Sequence, residues 1–180
     1  MRGISINWQD YFCYDEESPS CLTNKVDRGK KAKAGGQAGI VMRKYYRVRF
    51  NNKNYDAHKV VWEMHNGPVP EKLLVDHKNG NPLDNRISNL RVVTPAVSAR
   101  NRGRYSNNTS GIVGIHYYEK DNNTYVCAQY YDLQGVRHRK NFSILKLGII
   151  PAGAMASLWR DTKINELNLQ GAGYTKRYKD

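Results

Sequence analysis

Short blocks of alternating polarity, rather than long apolar runs, organise this sequence. The first forty residues show little periodicity. Residues 30–39 (KKAKAGGQAG) read as a mobile basic loop, because glycine removes backbone restraint. Residues 42–50 (MRKYYRVRF) are β-favoured and predict a strand. A turn at 51–54 and a return strand at 55–57 complete a hairpin. In residues 58–65 (HKVVWEMH), Val61, Trp62 and His65 recur at three and four residues, which predicts a helix that Gly67 and Pro68 end. A short apolar run at 73–76, a turn-rich loop at 78–88 and a strand at 90–93 follow. Thr94 as N-cap and Pro95 at the first helical position open a helix reaching about residue 102. Residues 104–110 are polar and turn-rich. Strands are then expected at 112–118, 124–131 and 136–142, before a helix over 152–166 with Ala152, Met155, Ala156 and Trp159 on one apolar stripe. The pattern is that of an α+β chain in two parts: residues 1–104, a linker at 105–110, a second unit at 111–170 and a basic tail at 171–180.

Charge narrows the class of partner. The 180 residues carry 29 Lys and Arg against 16 Asp and Glu, a formal net charge of +13. Nucleic acid is the commonest anionic partner for such a chain. The charge is clustered. Between residues 22 and 55, Asp27 stands alone against a run of basic residues that includes Arg43, Arg47 and Arg49, interleaved with Tyr45, Tyr46 and Phe50. Arg100, Arg102 and Arg104 form a second cluster, and Arg137, His138, Arg139 and Lys140 a third. Cysteine adds little: Cys13, Cys21 and Cys127 are odd in number and lack a CxxC pair, so reduced thiols are expected. No apolar run reaches membrane-spanning length, and the longest, 147–159, contains Pro151. The first residues lack the apolar core of a signal peptide, so a cytoplasmic protein with no membrane partner is expected.

Candidate chemistry concentrates at residues 75–91 (VDHKNGNPLDNRISNLR). A neutral histidine near its ordinary pKa takes a proton from water at physiological pH, and His77 is placed to do so. Asp76 beside it offers oxygen to a hard divalent cation. Neighbours on a regular strand point to opposite faces, so Asp76 and His77 converge only if the strand ends or bends there. Asn81, Asp84 and Asn85 read as turn formers. His58 is expected to pack between the hairpin and this loop rather than to catalyse.

The stretch VDHKNGNPLDNRISNLRVVT, with the upstream hairpin and Ala57-His58-Lys59-Val60-Val61-Trp62, resembles the HNH motif of phage and intron-type homing endonucleases. The resemblance covers roughly residues 11–102. It implies a ββα-metal (His-Me finger) nuclease core that hydrolyses phosphodiesters of double-stranded DNA. It further implies Mg²⁺ or Mn²⁺, no small-molecule cofactor, a monomer, and a phage protein acting in the bacterial cytoplasm. Asp76 matches the family's metal-binding carboxylate, His77 its general base and Asn89 the asparagine that braces the loop. Where the family places Asn or His on the following helix, this chain has Ser98. Three explanations stand side by side. Ser98 coordinates through water, Asn101 one turn on substitutes for it, or the pocket is a degenerate scaffold in a weak or inactive DNA-binding protein.

Residues 110–115, 125–128 and 139–142, with a helix ending in Trp159-Arg160, resemble the ethylene-response-factor (Apetala-type) DNA-binding domain. That resemblance implies a three-stranded sheet on one helix, with Arg137, Arg139 and Lys140 facing DNA. Arg43, Arg47 and Arg49 on the hairpin are expected to contact DNA as well, and Arg86, Arg91, Arg100, Arg102 and Arg104 to hold phosphates.

Overall fold

Short strands supply much of the ordered backbone in the computed structural model, which describes residues 6–101, 103 and 108–175. The chain divides into two units, residues 1–95 and 96–180. Arg102, Arg104, linker residues 105–107 and tail residues 176–180 lie outside the described residues.

In the first unit, β1 (Phe12–Tyr14) pairs antiparallel with β2 (Leu22–Asn24). A three-stranded meander follows, made of β3 (Ile40–Met42), β4 (Tyr45–Phe50) and β5 (Lys53–Asp56). Helix α1 (Ala57–Asn66) runs straight from β5 and ends where Gly67, at φ +77°, donates its N–H to Glu63 O. β6 (Leu74–His77) and β7 (Leu90–Val93) form an antiparallel pair in which Asp76 lies opposite Arg91 and His77 opposite Leu90. Trp8, Phe12, Leu22, Val48, Val60, Val61, Val75 and Leu90 pack into one core. The aperiodic opening therefore furnishes core residues.

Two expectations are corrected here. Residues 30–39 are not a loose loop at their C-terminal end. Asn24 N donates to Gly36 O at 2.8 Å, Ala38 N donates to Leu22 O at 2.9 Å, and the Ala38 side chain is buried. Small residues achieve this by close backbone approach, which leaves no hydrophobic period to read. The strand expected at 42–50 is broken by a two-residue turn at Arg43 and Lys44, with Arg43 at φ +62°. Asn51 and Asn52, at φ +46° and +60°, make the next turn with the residue type that tolerates it. An arginine in the left-handed region gives no such signal.

In the second unit, α2 (Pro95–Arg100) is followed by β8 (Ile115–Lys120), β9 (Asn123–Tyr131) and β10 (Arg137–Ser143), an antiparallel sheet with β9 in the centre. One turn of helix, α3 (Ile144–Leu147), leads into α4 (Ile149–Leu169). Helix α4 buries Ala152, Ala156, Arg160 and Ile164, every fourth residue. The alanines let the helix lie close over Ile115, Val126, Ala128 and Phe142. Met155, expected on this stripe, is 46% exposed, because the buried line steps from Ala152 to Ala156. Arg160 is 4% exposed and donates from Nε to Gln129 O at 2.9 Å. Among the described residues, no helix is long and apolar enough to cross a membrane.

Candidate active site

His77 closes β6 and is 5% exposed. Its ring lies edge-on to His58 of α1 at 4.9 Å between centroids, and Tyr45 of β4 stacks at 6.3 Å. Its Nε2 is 3.1 Å from Asn85 Oδ1. The imidazole is thus enclosed by the meander, α1 and the β6–β7 loop. Three elements far apart in sequence hold one ring.

His58 sits between Tyr45 and His77, as a packing residue does. Burial, reinforced by the neighbouring His77, pushes the pKa of His58 down to about 4, and its Nδ1 has no hydrogen-bond partner among the described residues. A base whose folded pKa is depressed binds fewer protons than in the unfolded chain. Stability is therefore full above the unfolded value near 6.5 and declines as pH falls toward 4. The contribution is about 3 kcal/mol. Urea unfolding at pH 7 and pH 4 should show that much extra acid loss in the wild type over His58→Gln. An equal loss in both would refute the assignment.

The loop between β6 and β7 is braced from within. Asn89 Oδ1 accepts from Asn79 N at 3.0 Å, and Asn89 Nδ2 donates to Asn79 Oδ1 at 3.0 Å and to Asp84 O at 2.8 Å. One buried amide thus spans ten residues of loop, the geometry a bracing residue requires. Asn81 and Asp84 are turn formers: Asn81 Oδ1 accepts from Leu83 N, and Asp84 Oδ1 from Arg86 N. Arg86 grips both Asp84 oxygens, at 2.8 and 2.7 Å, and pulls that carboxyl down to about 2. Asn85 departs from the turn-former reading, since its buried side chain touches His77. Sequence gives no signal separating it from its neighbours Asp84 and Arg86.

Asp76 is largely buried and ion-paired with Arg91, its cross-strand neighbour, at 3.1 Å. A carboxylate of this kind suits a hard cation, and magnesium sites often use one or two carboxylates with water and substrate phosphate. Among the described residues, no group of three or more His, Cys, Asp or Glu side chains is placed to hold a metal. Ser98 is half-buried on α2. Asn101 is not available as a ligand. Its Oδ1 already accepts from Thr175 N at 2.8 Å and Thr175 Oγ1 at 3.1 Å, while its Nδ2 donates to Val97 O and Gly173 O.

The expected basic contacts separate into two kinds. Arg47 pairs with Asp56 at 2.8 Å, Arg86 with Asp84 and Arg91 with Asp76. Arg100 donates to the carbonyls of Ala172, Asp132 and Leu133. Arg43 and Arg49 are exposed on the meander. On β10, strand alternation splits the third cluster. Arg137 and Arg139 fall on one face opposite Tyr131 and Gln129, while His138 and Lys140 fall on the other. His138 is held by Asp132 at 2.7 Å.

A family model described as HNH endonuclease matches residues 55–100. Protein 3.8 of Escherichia phage T7 is 38% identical over 76 residues, which are 42% of this chain and 61% of that protein. The chain thus spans about three-fifths of that relative's length. No solved structure matches. The matched residues run from β5 through α2 and include Asp76, His77 and Asn89.

Proposed function

We propose that this chain is a DNA endonuclease of the HNH type, dependent on Mg²⁺ or Mn²⁺, in which His77 is the general base. The observation that carries the reading is a buried imidazole at the end of β6, inside the matched segment, on a loop cross-braced by Asn89. His77 takes a proton from water. The water oxygen bonds to phosphorus, the bond to the leaving 3′ oxygen breaks, and that oxygen takes a proton from solvent water, giving 5′-phosphate and 3′-hydroxyl ends. A divalent ion held by Asp76 would stabilise charge on the phosphate and the leaving oxygen. Arg91, released from Asp76, then has a phosphate as its alternative partner. The matching phage protein supports a phage protein acting in the bacterial cytoplasm. Conversion of supercoiled DNA tests the reading.

The second unit is read as the DNA-docking part, in the manner of the ethylene-response-factor domain. The three-stranded sheet with a single long helix on one face supports this. The other face carries Arg137 and Arg139 beside Tyr131 and Gln129. Phosphate contacts there would give affinity and its salt dependence. Arg139→Ala should weaken all DNA sequences alike and lower the slope of log affinity against log salt by about one. An unchanged slope in a fluorescence-anisotropy titration would take Arg139 off the contact surface.

A catalytically inactive DNA-binding protein is the second reading, and the Asp76–Arg91 ion pair favours it, since that pair satisfies the carboxylate without metal. Calorimetric titration with Mn²⁺ separates the two. Binding that Asp76→Ala removes supports the nuclease.

A further inference from the structure

The geometry points to Asn85 as the positioning residue that fixes which nitrogen of His77 carries the proton. This rests on the reading of His77 as the base.

Asn85 is 1% exposed, so each of its polar atoms must find a partner inside the protein. Its Nδ2 lies 3.2 Å from the carbonyl oxygen of Ser20. A carbonyl only accepts, so this end of the amide is the NH₂ and the other end is the oxygen. That oxygen faces His77 Nε2 at 3.1 Å. An amide oxygen also only accepts, so Nε2 must be the protonated nitrogen. A neutral imidazole has one N–H, which assigns the lone pair, and hence the basic site, to Nδ1.

Ser20 is itself fixed in the connection between β1 and β2. Its hydroxyl donates to the Ala38 carbonyl, and Ala38 N donates to Leu22 O at 2.9 Å. Tyr14 at the end of β1 anchors the other side of the same contact, its hydroxyl accepting from Ile87 N at 3.0 Å. The polarity of one backbone carbonyl is thus relayed through one amide to one ring. This gives the N-terminal segment, which lies outside residues 55–100, a part in the chemistry.

A base with its lone pair on the wrong nitrogen cannot reach the same water, so a mixture of tautomers lowers the rate without altering the ring's position. The neighbouring His58 cannot supply this control, since it meets His77 through ring contact rather than through a hydrogen bond.

The test is nitrogen-15 NMR of the His77 ring, in full-length protein without DNA or metal, above the pH at which histidines protonate. Wild type should show Nε2 protonated and Nδ1 unprotonated. Asn85→Asp keeps an acceptor against Nε2 and should keep that tautomer. Asn85→Ala should give a tautomer mixture, and cleavage should fall about ten- to a hundred-fold. A wild-type ring protonated at Nδ1 overturns the assignment whether or not any variant folds. A folded Asn85→Ala with an unchanged ring pattern overturns it too. Ring shifts report on Asn85 alone, and cleavage by His77→Ala reports on the base, so the two readings fail separately.

Discussion

Replacing His77 by alanine or glutamine is expected to slow DNA cleavage by roughly 10²–10⁴-fold, the usual contribution of a positioned general base. DNA affinity should stay close to wild type, because the substitution leaves the exposed arginines of the meander and of β10 in place. The loss should appear in the single-turnover rate and not in the concentration of DNA needed for half-maximal rate. Glutamine is the more informative substitution. It can still donate toward Asn85 Oδ1, so the buried amide keeps a partner, yet it brings no basic nitrogen. A glutamine variant that cleaves within a few-fold of wild type would remove His77 from the mechanism.

Substituting Gly114 by alanine is expected to destabilise the second unit by about 3–5 kcal/mol. Gly114 sits at φ +76°, where a side chain is strained from the start. A β-carbon there would lie 2.3 Å from Arg160 Nε, 2.8 Å from Arg160 Cζ and 2.8 Å from the backbone oxygen of Gln129. The guanidinium cannot swing out to water, since Arg160 lies on the buried face of α4 and its Nε bonds to that same Gln129 oxygen. Gln129 cannot move independently either, because its N–H donates to Gly114 O at 2.8 Å. The added carbon therefore breaks the one arrangement that lets a charged residue face the sheet. Thermal unfolding should drop by roughly 10 °C or more. A change below about 1 kcal/mol would mean that the sheet and helix repack at little cost.

Elements with a clear period were legible in the sequence. β7 occupies the expected residues 90–93, and β6, β9 and α1 lie within a residue or two of expectation. The spacing of the motif singles out Asp76, His77 and Asn89, and in the structure Asn89 spans the β6–β7 loop through Asn79 and Asp84. What stayed hidden shares a physical cause. Trp8, Phe12, Leu22 and Ala38 build the core from strands of three residues and from turns, too short to show a period. The turn at Arg43 uses a residue with no turn preference. Arg160 and Asn85 are polar residues buried by partners 31 and 65 positions away, Gln129 and Ser20, and local sequence carries no trace of such pairings. Asn101 shows the converse. Helical spacing from Ser98 suggested a ligand, and the amide is instead consumed by Thr175, Val97 and Gly173.

The most direct measurement is single-turnover conversion of supercoiled plasmid DNA by the full-length protein in Mg²⁺ and in Mn²⁺, with binding recorded on the same samples. His77→Gln, purified in parallel, serves as the control for contaminating nuclease. The expected result is metal-dependent nicked or linear product with wild type, none beyond background with the variant, and equal binding by both. Binding without cleavage by wild type in either metal, or equal cleavage by both proteins, would contradict the account.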